Sequence, residues 1–469
     1  MKGINNKLKI VILIIGIATF SISCNKLKDF GDTNVNPNDI SNPATYAILT
    51  GVEAGISGWA NNGVGIVWIQ YFSETQYPGN GLYAIPKYDF SGNYSGQLLN
   101  LQTVIKVNNN TEEVAVAKIL TQYIFWNMTD SWGDIPYSQA IQGKVPAYDK
   151  QQDIYKGMIA ELKSAQSSFT NSGALKGDII YGGDVNKWKK FANSLRVVMA
   201  LRLSKRFPGA GDYSATELKA AIADGVIESN DDNCKLVFPG GVFKNPYWSA
   251  HDGARDNGES QHLFSILSGF SDGRQAAFGS STKAVPSGIK EADINSWIKS
   301  NVDWSRAFND NYRLETSPVM IMNASQVFLA RAEAADRGWT TESVSDMYQK
   351  GISASFAQWS LPAPDASYFT QSNVAITAPA GTNGNLKQIA TQRYLAAFPD
   401  GTQGWSEWRR TGYPVITPAP APLNPAHVTI PRRYIYADVE YSLNPTGVAA
   451  AVANLQGGDL QESRVWWDQ

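Results

Sequence analysis

Apolar residues recur at helical spacing in three parts of the chain, and each part contains two consecutive segments. The first segment starts at Thr111, whose hydroxyl can cap a helix. Its apolar stripe comprises Val114, Ala117, Leu120, Ile124 and Met128. The second segment starts at Asp149, which resembles a capping box with Gln152. Its apolar face comprises Ile154, Met158, Leu162, Ala165 and Phe169. The pattern predicts that these two helices pair.

Two further helix pairs are predicted from the same kind of apolar spacing and capping residues. Asp184 or Asn186 starts a helix, and "DYSATELKAAIADG" is its shorter partner, which Gly225 ends. In the third pair Ser317 is expected to cap, with Pro318 at the first helical position and Gly338 at the end. The partner of this last helix is "TTESVSDMYQKGISASFAQW".

The second helices of the first and third pairs resemble one another in sequence. "DIYKGM" at 153 and "DMYQKGI" at 346 place Gly157 and Gly351 where a neighbouring helix can approach closely. This resembles tetratricopeptide stacking with long insertions, although unrelated helical hairpins with similar packing needs are an alternative. The predicted fold is all-α, built from tetratricopeptide-like helical hairpins.

Long segments between these pairs show little helical period. They span about 56–100, 226–316 and 360–469, and they are rich in Gly, Pro, Asn, Ser and aromatic residues. We expect residues 46–469 to form a single domain in which the helices are a frame and the insertions carry the binding function.

The N-terminus has the pattern of a secretory signal peptide over residues 1–23. Three lysines precede an apolar run from Ile10 to Phe20, which is too short to cross a bilayer. Small residues then lead to Cys24, the residue that bacterial lipoprotein processing would leave acylated at the mature N-terminus. Residues 24–45 are expected to be a lipidated tether. An ordinary secreted protein with a chance cysteine is the alternative.

Composition narrows the function further. The chain is 43% hydrophobic and 17% charged, which is typical of a globular protein, and its net charge of −2 argues against nucleic acid as a partner. If Cys24 is acylated, Cys234 is the remaining cysteine and no internal disulfide is expected. Aromatic residues are abundant, with 14 Trp, 21 Tyr and 18 Phe.

Six stretches together resemble the SusD/RagB family of outer-membrane lipoproteins from Bacteroidota. They are "DTNVNPNDI", "TDSWGDIPYSQAIQG" with "PAYDKQQDIY", "IYGGDVNKWKKFANSLRVVMALRLS", "FPDGTQGWSEWRRTGYPVI", "IPRRYIYADVEYSLN" and "RVWWD". The resemblance implies a SusD-like, acyl-anchored protein on the cell surface. Such a protein lids a SusC-like TonB-dependent barrel in the outer membrane and delivers nutrient to it, commonly glycan.

Residues that carry chemistry are sparse. Asp130 and Asp134 are a pair of carboxylates that could in principle catalyse glycoside cleavage, but a structural role at a helix end is favoured. The three histidines have no metal-ligand spacing, and Cys234 has no readable partner. The sequence therefore predicts no catalytic residue, cofactor or metal site. It leaves calcium binding open without a ligand set.

Two insertions offer aromatic residues beside amides and charges, as a glycan site requires. The first supplies Trp68, Tyr71, Tyr77, Asn80 and Tyr83, and the second supplies Trp297, Trp304, Asn309 and Arg313. Many of these rings are expected to be core residues instead.

Arginines in the tail present a similar choice. Arg409, Arg410, Arg432 and Arg433 form either an anion pocket or, as favoured, structural contacts with Trp408, Glu407 and Glu440. The predicted function is glycan binding without bond cleavage. A surface glycoside hydrolase and a peptide-binding or structural subunit of the same kind of uptake complex are the alternatives.

Overall fold

The computed structural model describes residues 44–173, 175–252 and 255–469, and the predicted signal peptide and Cys24 lie outside them. We number the helices of nine or more residues. They are α1 (Thr45–Gly55), α2 (Leu99–Val107), α3 (Thr111–Trp132), α4 (Gln151–Ser167), α5 (Val185–Arg202), α6 (Tyr213–Ala223), α7 (Gln261–Gly269), α8 (Glu291–Ser300), α9 (Ala324–Asp336), α10 (Val344–Gln358), α11 (Leu386–Ala397), α12 (Gly401–Thr411) and α13 (Pro445–Ala453).

Shorter helices and two small sheets connect this frame. The short α-helices are Ser57–Ala60, Gly63–Trp68, Ser91–Asn93, Pro246–His251, Gln275–Phe278 and Asp438–Leu443. Strand β1 (Phe72–Glu74) pairs antiparallel with β3 (Asn257–Glu259), with Phe72 opposite Glu259. Strand β2 (Cys234–Leu236) pairs antiparallel with β4 (Val319–Met322), with Cys234 opposite Met322. Helix therefore dominates the described residues, and the all-α prediction is confirmed.

The three predicted helix pairs are present, and α3 packs on α4, α5 on α6, and α9 on α10. The cap at Asp184 is confirmed, because its side chain accepts the backbone N–H groups of Asn186 and Lys187. Helix α3 is capped by Asn110 instead of Thr111. Asp149 does not cap α4, since its carboxylate accepts N–H groups of Tyr137 and Ser138 at 2.9 and 2.8 Å.

The predicted start of the third pair at Ser317 is wrong. Residues 319–322 form β4, an apolar run containing the β-branched residues Val319 and Ile321 that pairs antiparallel with β2. Helix α9 begins after Asn323, whose side chain forms a reciprocal capping box with Gln326.

Gly351 and Gly157, which were both predicted to allow close approach of a neighbouring helix, contact different elements. A Cβ at Gly351 would lie 2.6 Å from Leu329 Cγ, so Gly351 permits the close approach of α10 to α9 as predicted. At Gly157 the close neighbour is the ring of Tyr137, at 2.7 Å from such a Cβ, and Tyr137 belongs to a loop.

The tail from 360 is more helical than predicted. Helix α11 packs on α9, and α12 packs on α11 and on the short helix Gly63–Trp68. Helix α12 and this short helix touch through glycines, since a Cβ at Gly65 would lie 2.6 Å from the carbonyl oxygen of Gly401. Residues Thr45–Gln469 form one unit around a continuous core, with a satellite cluster of Val285, Ile294 and Trp304 in the second insertion.

Candidate ligand-binding cavity

A cavity of about 380 Å³ opens where the second insertion meets the C-terminal end of α10. This volume lies in the range typical of small-ligand sites. Its lining comes from the insertion, from β4 and the residues before it, and from the turn after α10. The lining residues are Asn245, Tyr247, Phe308, Asn311, Tyr312, Arg313, Leu314, Thr316, Ser317, Pro318, Val319, Met320, Gln358, Trp359, Ser360 and Pro399.

Two aromatic side chains, Tyr312 and Trp359, are half-buried in this lining. Their rings meet edge to face, with centroids 5.7 Å apart and an interplanar angle of 70°. Trp359 follows α10 directly and packs behind the cavity on Phe278, at a centroid distance of 5.2 Å. Rings fixed in this way can stack against the C–H face of a sugar.

Asn245 fixes one wall of the cavity. Its side chain caps the short helix Pro246–His251 by accepting the N–H of Trp248 at 3.1 Å, and it donates to the carbonyl of Ser317 at 2.6 Å. The Ser317 hydroxyl in turn donates to the Tyr312 carbonyl at 2.8 Å. These bonds connect the residues before β4 to the insertion, so the wall is held by both.

Arg313 lies beneath the cavity with 5% of its surface exposed. Its Nη1 donates to the carbonyls of Ala307 and Phe308 at 3.1 and 2.9 Å. Its Nη2 pairs with Asp310, and its Nε lies 3.9 Å from Asp252 Oδ1. The guanidinium therefore organises the insertion, and two carboxylates neutralise its charge.

Nearby His251 is uncharged at neutral pH. Burial lowers the pKa of its imidazole to about 4, and the guanidinium groups of Arg313 and Arg306 contribute in the same direction.

The sequence model of a family described as SusD-like, starch-binding and associating with the outer membrane matches residues 37–437. The chain belongs to this SusD-like family. No curated protein matches the chain.

Solved structures share the SusD-like fold. A chitin-binding SusD homologue from Flavobacterium johnsoniae is 27% identical with a TM-score of 0.79, and the alignment covers 91% of this chain and 98% of that one. Another structure, described as a chitin-binding protein, is 28% identical with a TM-score of 0.76, covering 91% and 100%. A SusD homologue from Bacteroides thetaiotaomicron is 26% identical with a TM-score of 0.76, covering 91% and 99%.

Four predicted ligand contacts of this SusD-like protein are core residues. Trp68, Tyr71, Tyr83 and Trp304 are at most 6% exposed. Trp68 Nε1 donates to the Asn80 carbonyl at 3.1 Å, and the Tyr83 hydroxyl accepts the N–H of Ala419 at 2.7 Å. Tyr71 donates to the Tyr394 carbonyl. The expectation that these rings face ligand is corrected, because all four are buried and the polar atoms of Trp68, Tyr71 and Tyr83 are used inside the fold.

The other predicted residues occupy different places. Tyr77 is 73% exposed, and Trp297 on α8 is half-buried against the satellite cluster. The Asn80 amide donates to Glu74 at 3.0 Å, and the Asn309 side chain accepts the N–H of Asn311 at 3.1 Å. Of the nine predicted residues, only Arg313 lines the 380 Å³ cavity.

Sequence reasoning missed Tyr312 and Trp359 as site residues. Tyr312 stands directly before the predicted Arg313, and Trp359 ends the predicted helix "SFAQW" before a proline-rich turn. Pro362 and Pro364 mark a loop directly after this helix, which was the available signal that Trp359 lies beside a loop.

The tail arginines have the favoured structural role. Arg409 stacks on Trp405 at 3.7 Å from the ring centroid, and Arg432 lies 5.2 Å from that of Trp408. Arg410 pairs with Glu407 at 2.7 Å, whereas Arg433 pairs with Asp459. The predicted bridge to Glu440 is absent from the hydrogen bonds and ion pairs of the described chain, where the Glu440 carboxylate accepts a bond from Tyr148.

The paired carboxylates are structural as well. Asp130 is fully buried and accepts the Trp467 indole N–H at 2.8 Å, while Asp134 accepts the N–H of Gln151 and the amide of Asn454, each at 2.8 Å. Within residues 44–173, 175–252 and 255–469, no group of three His, Cys, Asp or Glu side chains is arranged to hold a metal ion. None of the helices in the same ranges is long and apolar enough to span a membrane.

Proposed function

We propose that this protein is a cell-surface lipoprotein that binds a glycan and delivers it to a SusC-like TonB-dependent transporter of the outer membrane. The observation that carries the proposal is the cavity with the half-buried rings of Tyr312 and Trp359. Supporting it are the family's description as starch-binding and two structural relatives described as chitin-binding. Acyl chains on Cys24 would hold the protein at the membrane.

The proposed role is binding without bond cleavage. The carboxylates that the sequence offered for hydrolysis, Asp130 and Asp134, are engaged by structural hydrogen bonds. In the cavity wall, polar side chains and aromatic rings supply contacts that orient a sugar and fix its position.

Binding of oligosaccharides from starch and chitin to the purified protein, measured by isothermal titration calorimetry, tests the proposal. Trp359→Ala is expected to weaken binding by about tenfold or more, because it removes a stacking face worth about 1.5 kcal/mol. Trp466→Ala is the matched control, since Trp466 is also half-buried but packs on Phe207 and Arg206 and does not line this cavity.

Other outcomes would contradict the proposal. Unchanged affinity of Trp359→Ala, with affinity lost in Tyr77→Ala or Trp297→Ala, would contradict this cavity as the glycan site and indicate the rings predicted from the sequence instead. New reducing ends after incubation with polysaccharide would show a hydrolase. Binding of peptides in place of every glycan tested would show a peptide-uptake subunit.

A further inference from the structure

The cavity offers no free charge to a ligand. Arg313 is the one charged residue in the described lining, and its charge is paired with Asp310 and Asp252. Its Nη1 donates to two backbone carbonyls, while its Nε makes no hydrogen bond in the described chain and lies 3.9 Å from Asp252 Oδ1. A carboxylate or ammonium group bound here would lose hydration without gaining an opposite charge, which is costly. The cavity therefore favours an uncharged ligand.

The polar groups that remain free are amides and hydroxyls. Asn245 and Ser317 already use their side chains within the wall. By contrast, the Tyr312 hydroxyl and the side chains of four other lining residues make no hydrogen bond within the described chain. These four residues are Asn311, Thr316, Gln358 and Ser360. The groups available for hydrogen bonding to a ligand are therefore neutral donors and acceptors.

Gln358 stands out among these groups. It is the last residue of α10, and its Oε1 is buried without a hydrogen-bond partner in the described chain. A buried acceptor of this kind costs free energy until a donor reaches it. A primary amide presents one acceptor and two donors side by side, which is complementary to the N–H and C=O of another amide.

The rest of the lining is apolar. Phe308, Val319, Met320 and Pro399 face the same cavity as Gln358. A sugar that carries only hydroxyl groups would lose their hydration against such a wall, whereas an acetamido group places a methyl there and keeps its amide for Gln358.

We propose that this cavity binds an uncharged glycan bearing N-acetyl groups, with the acetamido amide at Gln358 and its methyl against the apolar wall. This inference rests on the proposed glycan-binding function and names the class of sugar. Charged sugars and sugars without an acetamido group are expected to bind weakly.

Calorimetry with four oligosaccharides of equal length tests the inference on the wild-type protein. The probes are oligomers of N-acetylglucosamine, glucose, glucosamine and galacturonic acid, which differ in acetamido content and in charge. The N-acetylated oligomer is expected to bind about tenfold more tightly than the glucose oligomer, and the two charged oligomers more weakly still.

Gln358→Met removes the amide and keeps the side-chain length. It is expected to reduce the preference for the N-acetylated oligomer by about tenfold, while affinity for the glucose oligomer changes little. Gln349→Met is the control, because Gln349 lies on the same helix, is exposed and bonds to Ser345.

The possible failures are distinguishable. Equal binding of the glucose and N-acetylglucosamine oligomers, or tighter binding of a charged oligomer, would overturn this inference and leave glycan binding intact. An unchanged preference in Gln358→Met would also overturn it. Absence of binding to every glycan on a broad array would overturn the proposed function itself.

Discussion

Glu53 is a carboxylic acid held in the interior, fully buried on α1. Its Oε2 accepts the N–H of Ile179 at 2.8 Å, and its Oε1 has no partner in the described chain. Burial, reinforced by the negative charge of Asp178, raises the pKa of Glu53 to about 9. The side chain is therefore protonated in the folded protein at neutral pH, whereas it is ionised in the unfolded chain.

This difference makes stability depend on pH. Because the folded pKa is raised, the unfolded state binds fewer protons between about pH 4.5 and pH 9, and the free energy of unfolding falls as pH rises through this range. Glu53→Gln keeps an acceptor for Ile179 and removes the ionisation. It is expected to raise the free energy of unfolding at pH 8 by about 1–3 kcal/mol and to change it little at pH 4.

Urea denaturation at the two pH values measures the effect of Glu53→Gln. Glu291→Gln, at an exposed position of α8, is the control and is expected to change stability by less than about 0.5 kcal/mol. A loss of stability at pH 8 in Glu53→Gln would show that the charged form is the one the fold accommodates.

Among the elements, α3 to α6 were predictable because their apolar residues repeat along one face and meet a partner close in sequence. Helices α11 and α12 were not predictable in this way. Their buried faces carry Arg393, Glu407 and Arg410, which pair with one another and with residues of other helices, so hydrophobicity does not mark the inner side. The strand β4 was missed because its apolar run looks helical until β2 is placed beside it.

The contact between α9 and α10 depends on one missing side chain. Gly351→Ala is expected to destabilise the protein by about 1–3 kcal/mol, because the new methyl group meets Leu329. Gly51→Ala is the matched control on α1, where nothing lies within 4 Å of the added Cβ. The control is expected to stabilise by about 0.5–1 kcal/mol through helix propensity. Equal thermal unfolding temperatures for the two variants would show that the helices separate without cost.

The molecule as a whole is held together by a buried ion network that joins distant parts of the chain. Arg410 of α12 forms an ion pair with Glu333 of α9 at 2.6 Å, and Arg202 of α5 forms one with Glu407 at 3.2 Å. Three arginines, Arg410, Arg337 and Arg393, outweigh burial and lower the pKa of Glu333 to about 2. The network fastens the tail to the helix pairs.

Anchoring is a property of the full chain that the N-terminal sequence predicts. Cys24→Ala is expected to abolish incorporation of labelled palmitate and to release the protein from the membrane fraction. Cys234→Ala is the control and should remain labelled, since Cys234 is fully buried in β2. Palmitate labelling that persists in Cys24→Ala, or processing that is insensitive to globomycin, would contradict the prediction.

The sequence alone determined the helix pairs, the family resemblance and the kind of residue from which a binding site would be made. Those conclusions depend on patterns within short segments, where spacing and side-chain type suffice. Only the tertiary structure decided which rings face a cavity. Trp68 and Trp359 have the same side chain, yet one is 1% exposed and hydrogen-bonded within the core while the other is half-buried in a cavity lining. Exposure is set by segments that are distant in the sequence, as when the tail residue Pro399 joins a wall made by the second insertion, and no local pattern records that contact.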